Sequence, residues 1–289
     1  MNTAARNIEL ETIPGLPGML VKAATSRKPA QREPQFPPLV ITARGIRADT
    51  AKLAKFSEVC GFENGAHLPL TYPHIMAFAL HMQLMLEPEF PFTPMGAVHV
   101  RNRISQQRPL AIDEPLDFTV RLGDAEQVAK GYEVSIVTEV ASAGEVVWDD
   151  LSVMLIRKGG TGEKRAKEAS AESPGFSESL QWQLPADMGR RYAAASGDYN
   201  PIHLYPITAK LMGFKRQIMH GMWSKSRCVA ELLPASHTSA AAVDVAFKLP
   251  IFLPSTVTLL HTTGDSGSRF ELRDAKGEKP HLAGELSLG

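Results

Sequence analysis

Pro73–Leu86 reads PHIMAFALHMQLML, and this stretch decides the fold. Apolar residues fill most positions instead of one stripe, so the spacing predicts a helix buried on all sides. At 1.5 Å per residue it would be about 20 Å long. Four strand patterns follow, at Ala97–Ile104, Leu116–Leu122, Tyr132–Val140 and Val146–Ile156. Alternation is clear in the second, where Phe118, Val120 and Leu122 share one face. Ala143-Gly144 supplies the turn before the fourth. No helical pattern separates these strands. That order argues for an antiparallel sheet wrapped around the helix, in the α+β class.

The same order recurs downstream. Ile218–Leu233 is a second long, mostly apolar helix, followed by strand patterns at Ala242–Leu249, Thr256–His261, Arg269–Arg273 and Pro280–Leu288. Gly264-Asp265-Ser266-Gly267 lies between two of them and reads as a hairpin turn, not as a serine-nucleophile signature. Between the halves, residues 159–175 (GGTGEKRAKEASAESPG) are small and charged, as in a linker. The expected organisation is therefore an N-terminal unit over 1–158, a linker over 159–175 and a C-terminal unit over 176–289. The first 36 residues are proline-rich with weak periodicity, and part of them reads as an extended arm.

Composition narrows the function. Lys+Arg and Asp+Glu each number 31, which argues against a dedicated nucleic-acid binder. Two cysteines, Cys60 and Cys228, exclude a disulfide framework. No apolar run approaches the roughly 18 residues of a membrane span. Glu9 and Glu11 fall where a secretion signal would need apolar residues, so a cytoplasmic location is expected.

The halves align by hand. Cys60-Gly61-Phe62-Glu63-Asn64-Gly65-Ala66-His67-Leu68 sits beside Ser196-Gly197-Asp198-Tyr199-Asn200-Pro201-Ile202-His203-Leu204, with Gly, Asn, His and Leu shared. An internal duplication is the reading that also explains the repeated element order.

The second copy carries the chemistry. Gly197 permits a tight bend and Pro201 stiffens the turn, so Asp198 and His203 can be aimed at one point. A carboxylate and an imidazole can hold one water and exchange its protons near neutral pH. The same residues could instead cap a turn and fill a core. Met219-His220-Gly221-Met222-Trp223 opens the second long helix. A glycine there lets a ligand reach a free backbone N–H, which suits an oxyanion.

Together the two clusters are specific. Ser196-Gly197-Asp198-Tyr199-Asn200-Pro201-Ile202-His203, followed by Gly213-Phe214, Ile218 and His220-Gly221-Met222, resembles the R-specific enoyl-CoA hydratases and MaoC-like dehydratases. The resemblance implies a double hot-dog fold, two long helices each wrapped by an antiparallel sheet. It implies hydration of trans-2-enoyl thioesters, or dehydration of (3R)-hydroxyacyl thioesters, in fatty-acid metabolism. It assigns catalysis to Asp198, His203 and the Gly221 N–H, and substrate binding to Asn200, Ser196 and His220. No cofactor or metal is expected beyond the coenzyme A or acyl carrier protein that bears the acyl group. Nucleic acid and membrane are not expected partners, and the chain would be a monomeric pseudo-dimer or a homodimer. The first half resembles the degenerate unit of such enzymes, with Phe62 in place of Asp198 and roughly Ile75 in place of Gly221, so one active site per chain is expected. Many members carry an acidic residue two positions after the motif histidine, where this chain has Tyr205. The competing readings are a hot-dog acyl-CoA thioesterase and a non-catalytic acyl-thioester binding protein.

Overall fold

A computed structural model describes residues 6–28, 34–157 and 175–289, which gather into two compact units that interleave along the chain. Unit one takes the described residues up to Arg47, Met76–Asn102 and those from Asp113 to 157. Unit two takes Ala48–Ile75, Arg103–Ile112 and the described residues to Gly289. The linker read at 159–175 lies outside the described residues, apart from Gly175.

Unit one holds β1 (Arg6–Leu10), α1 (Leu16–Thr25), β2 (Leu39–Ile46), most of α3 (Tyr72–Leu86), the start of β3 (Ala97–Gln106), β4 (Leu116–Val128), β5 (Gly131–Ser142) and β6 (Glu145–Arg157). Its strand order is β1-β2-β4-β5-β6-β3. β1 and β2 are parallel, and the pairs from β2 through β4 and β5 to β6 are antiparallel.

The alternation read in the sequence sets the register. Phe118 faces Val140, Val120 faces Thr138 and Leu122 faces Ile136 across β4 and β5, and all six are buried. The inward face also carries Asp150 and Ser152, which a purely apolar pattern would not include. The Asn102 amide donates to Asp150 Oδ1 at 3.0 Å and the Ser152 hydroxyl donates to the same oxygen at 2.8 Å, offsetting the burial. His81 of α3 meets Thr138 of β5 at 2.7 Å, which lays the helix on this face. Ala143 and Gly144 both adopt positive φ in the β5–β6 turn, the twist a two-residue hairpin needs.

The proline-rich start is not simply an extended arm. It contains β1 and the ten-residue helix α1, whose Met19 and Ala23, four residues apart, form its buried stripe. That stripe is too narrow to stand out as a period.

Unit two holds α2 (Thr50–Cys60), the first turn of α3, the end of β3, β7 (Glu178–Leu184), α4 (Met188–Ser196), α5 (Pro206–Leu211), α6 (Gly221–Leu232), β8 (Ala241–Phe247), β9 (Ser255–Gly264), β10 (Gly267–Asp274) and β11 (Pro280–Leu288). Its strands run β8-β11-β10-β9-β7 with every neighbour antiparallel. Asp265 and Ser266 form the β9–β10 hairpin turn. α6 packs on β8, β10 and β11.

Trp223 on α6 is fully buried, and its indole N–H donates to the Val59 carbonyl at 2.9 Å. Burial of such a ring contributes about 3 kcal/mol. α2 and α4 pack together, with Phe56 and Tyr192 ring centroids 6.2 Å apart. This packing draws 48–75 into unit two although it precedes the linker in sequence. The two aligned segments share a helix end. Each helix ends at a left-handed glycine, Gly61 at φ 79 and Gly197 at φ 80, and these are the aligned glycines. A helix laid on a mainly antiparallel sheet, twice in one chain, is the double hot-dog fold.

Candidate active site

The site grows from the end of α4. The Ser196 hydroxyl donates to the Tyr192 carbonyl at 2.9 Å and accepts from the Asp198 N–H at 3.2 Å. Gly197 then reverses the chain. Asp198 Oδ1 accepts the Asn200 N–H at 3.1 Å, and Asn200 Oδ1 accepts the Ile202 N–H at 3.4 Å. Pro201 opens the single 3-10 turn Pro201–His203. Ser196 and Asn200, expected at the substrate, thus spend these oxygens on shaping the turn that presents Asp198 and His203.

His203 and His220 complete the cluster. His203 is 8% exposed, and His220, 2% exposed, precedes α6 as its N-cap. The expected helix start at Ile218 moves to Gly221, because residues 218–220 are extended. Ile218 bridges to Phe252, and the Met219 N–H donates to the Ile251 carbonyl at 2.8 Å. This shift makes Gly221 the first helical residue. Its N–H is then one of those that a helix leaves without an intrahelical acceptor.

Carbonyl oxygens only accept, so they assign the tautomers. His203 Nδ1–H donates to the Ile218 carbonyl at 2.8 Å, leaving Nε2 as a lone-pair base. His220 Nε2–H donates to the Asp198 carbonyl at 2.9 Å. Its Nδ1 is buried and has no hydrogen-bond partner among the described residues. The two imidazoles stack with centroids 3.6 Å apart, and His220 Nε2 lies 3.8 Å from Asp198 Oδ2. Asp198 is the more open member, its side chain 26% exposed.

Burial pulls the His203 imidazole below its ordinary value, against the opposing influence of the Asp198 carboxylate. Burial pulls His220 further, well below its ordinary value, and the neighbouring His203 adds to this. Both rings are neutral at pH 7. An unfolded histidine titrates near 6.5, so below that pH the unfolded chain binds more protons than the folded one. Stability from this pair is therefore complete above about pH 6.5 and declines as pH falls, by up to about 1.4 kcal/mol per pH unit per histidine. Urea midpoints at pH 7.5 and pH 5.0 should show the loss, and His220→Gln should reduce it. An equal loss in wild type and variant rejects this account.

The sequence reading missed two neighbours. Tyr192 tilts against the His220 ring at 4.8 Å, and its buried hydroxyl has no partner among the described residues. Burial drives that phenol well above its ordinary value, with Cys60 and Asp198 adding to the effect. Tyr192 lies four residues before Ser196, so helical spacing was the available signal. Phe247 at the end of β8 lies against Gly221, where an added Cβ would stand 3.0 Å from the ring. Nothing in the sequence links two positions so far apart. The departure at Tyr205 has a structural counterpart. The Arg190 guanidinium stands 4.8 Å over the Tyr205 ring and donates to the Leu204 carbonyl at 2.9 Å, bracing the chain after His203.

The first copy differs. Phe62, at the position of Asp198, stacks on Phe56 with centroids 5.9 Å apart. Glu63, Asn64 and His67 are exposed and line a shallow cavity of about 150 Å³. His67, at the position of the buried His203, is thus on the surface.

Asp198, His203 and His220 place one donor atom each within 4.8 Å of one another. A carboxylate beside two neutral imidazoles can exchange protons with a held water, and the same donors could hold a zinc-type ion.

A model of the MaoC-like domain matches residues 165–284. The chain is 33% identical to 3-hydroxyacyl-thioester dehydratase X of Mycobacterium tuberculosis, over 93% of this chain and 96% of that protein. It is 37% identical to the (R)-specific enoyl-CoA hydratase of Aeromonas caviae over 70 residues, covering 23% of this chain and 52% of that one. A crystal structure of HtdX of Mycobacterium tuberculosis superposes with a TM-score of 0.75 at 32% identity, covering 86% of this chain and 100% of the other. Fold, motif and a relative matched along nearly the whole length agree, and the chain belongs to the MaoC-like dehydratase family.

Proposed function

We propose that this chain is a hydro-lyase that adds water to trans-2-enoyl thioesters and, in reverse, dehydrates (3R)-hydroxyacyl thioesters in fatty-acid metabolism. The observation that carries the reading is one convergence. The partly exposed Asp198 carboxylate and the buried His203 ring, its Nε2 left as a lone pair, both meet His220, the residue immediately before the first amide of α6.

The thioester oxygen accepts the Gly221 N–H, which makes C3 electrophilic and stabilises the enolate as it forms. Asp198 and His203 hold the water. As its oxygen bonds to C3, one water proton passes to the pair, and the pair returns a proton to C2. Ile218 fixes the His203 ring through Nδ1, so Nε2 stays aimed at the water. Phe62 removes the carboxylate from the first copy, so the chain works with one active site. Cys60 and Cys228 are both free and buried, which supports a reducing compartment such as the cytoplasm. Among the described residues no helix is long and apolar enough to cross a membrane.

The test is hydration of crotonyl-CoA, followed through loss of the conjugated enoyl absorbance, with the product's configuration determined. Turnover to the (3R) alcohol is expected. Release of free thiol from a saturated acyl-CoA, without hydration, would make the protein a thioesterase instead.

A further inference from the structure

Resting on that function, we propose that α5 and the segment after it are the docking surface for an acidic acyl carrier protein delivering the thioester. Large apolar side chains exposed among the described residues are scattered elsewhere, but five fall within 199–212. Ile207 is 70% exposed and Leu211 82%. They stand four apart on α5, so they share one outward face. Ala209, between them, is buried and anchors the opposite face.

Charge is equally one-sided there. Residues 199–216 include Lys210, Lys215 and Arg216 and no Asp or Glu, in a chain that as a whole carries 31 of each sign. An exposed apolar strip edged by one sign of charge marks a protein interface, and the charge selects an acidic partner.

The surface is also tied to the catalytic turn. The Thr208 hydroxyl donates to the Pro201 carbonyl at 2.6 Å, and α5 begins three residues after His203. A partner seated on α5 therefore holds its acyl arm at the rim of the site. Coenzyme A could satisfy the cations through its phosphates, but its slender pantetheine arm and single adenine ring offer far less apolar surface than a protein helix to cover Ile207 and Leu211 together. A small acidic protein has both.

The experiment compares a crotonyl group on an acidic acyl carrier protein with the same group on coenzyme A. The proteins are wild type, the Ile207→Ser/Leu211→Ser double variant and Lys210→Glu. Both variants should lose roughly ten-fold or more in kcat/KM with the carrier protein. The double variant should stay within about two-fold of wild type with coenzyme A, which also shows that it folds. Carrier-protein rates should fall as salt rises, because the attraction is screened. Equal losses on both substrates, or none on the carrier protein, overturn the proposal.

Fluorescence anisotropy of labelled carrier protein measures docking directly. If wild type hydrates neither substrate, the hydro-lyase reading fails, and this binding, weakened or not by the double variant, decides the docking proposal. Unchanged carrier binding alongside lost vesicle binding, or alongside a lost dimer, assigns the face to a membrane or to a second copy and overturns it.

Discussion

Asp198→Asn is expected to lower kcat/KM for enoyl-CoA hydration about 10²- to 10⁴-fold, the range that positioned acid–base catalysis supplies. The two side chains are the same shape. An amide oxygen can still accept the Asn200 N–H that Asp198 Oδ1 accepts at 3.1 Å, so the turn should persist. What disappears is a site that can take the water's proton, since an amide is not basic. The loss corresponds to about 2.7–5.5 kcal/mol of transition-state stabilisation. It should appear in kcat, with KM nearly unchanged, because the carboxylate acts on water and not on the acyl group. Thermal unfolding of the variant separates a chemical loss from a folding loss. Retention of activity within ten-fold of wild type, in a folded variant, would remove Asp198 from the mechanism.

Gly221→Pro should cost about 10²- to 10³-fold in kcat, the effect of deleting one oxyanion donor. Proline is well suited to the first position of a helix, where the N–H has no intrahelical acceptor. The preceding residue, His220, already has φ −66 and ψ 136, an extended conformation that a following proline accepts. The substitution therefore removes the N–H with little demand on the backbone. Its side chain does press on Phe247, which a Cβ would approach to 3.0 Å. Gly221→Ala is the matched control, because it makes the same approach but keeps the donor. The rate difference between the two variants reports the N–H alone. Equal rates for proline and alanine would show that the Gly221 amide polarises nothing.

Several features were legible because they depend on neighbours in sequence. The helix read at Pro73–Leu86 is observed as Tyr72–Leu86, since a segment apolar on all sides can only be buried. The strand faces of β4 and β5 were readable because a period of two sorts residues by side. Each of those strands continues past its predicted end, where polar residues join the ladder at the edge of the core. β7 was missed although Leu180, Trp182 and Leu184 alternate with Gln181 and Gln183; the run is short, directly follows the linker-like stretch, and its residues are mostly exposed. The turn around Asp198 was readable because glycine, asparagine and proline each restrict the backbone locally.

By itself, then, the sequence determined the α+β class, from runs of strands with no helix between them, and the tight turn that can aim Asp198 and His203 at one point, from the local spacing of Gly197 and Pro201. Only the tertiary structure decided the rest. It brought 48–75 into the unit that carries the site, because α2 buries its face on α4. It moved the start of α6 to Gly221, because residues 218–220 are held by the extended chain at Ile251 and Phe252. It left Nε2 of His203 without the proton by giving Nδ1–H the Ile218 carbonyl, and it stacked His220 on that ring. Burial then made both imidazoles neutral. These properties belong to groups that are distant in sequence and adjacent in space, so they come into being only when the core closes around them.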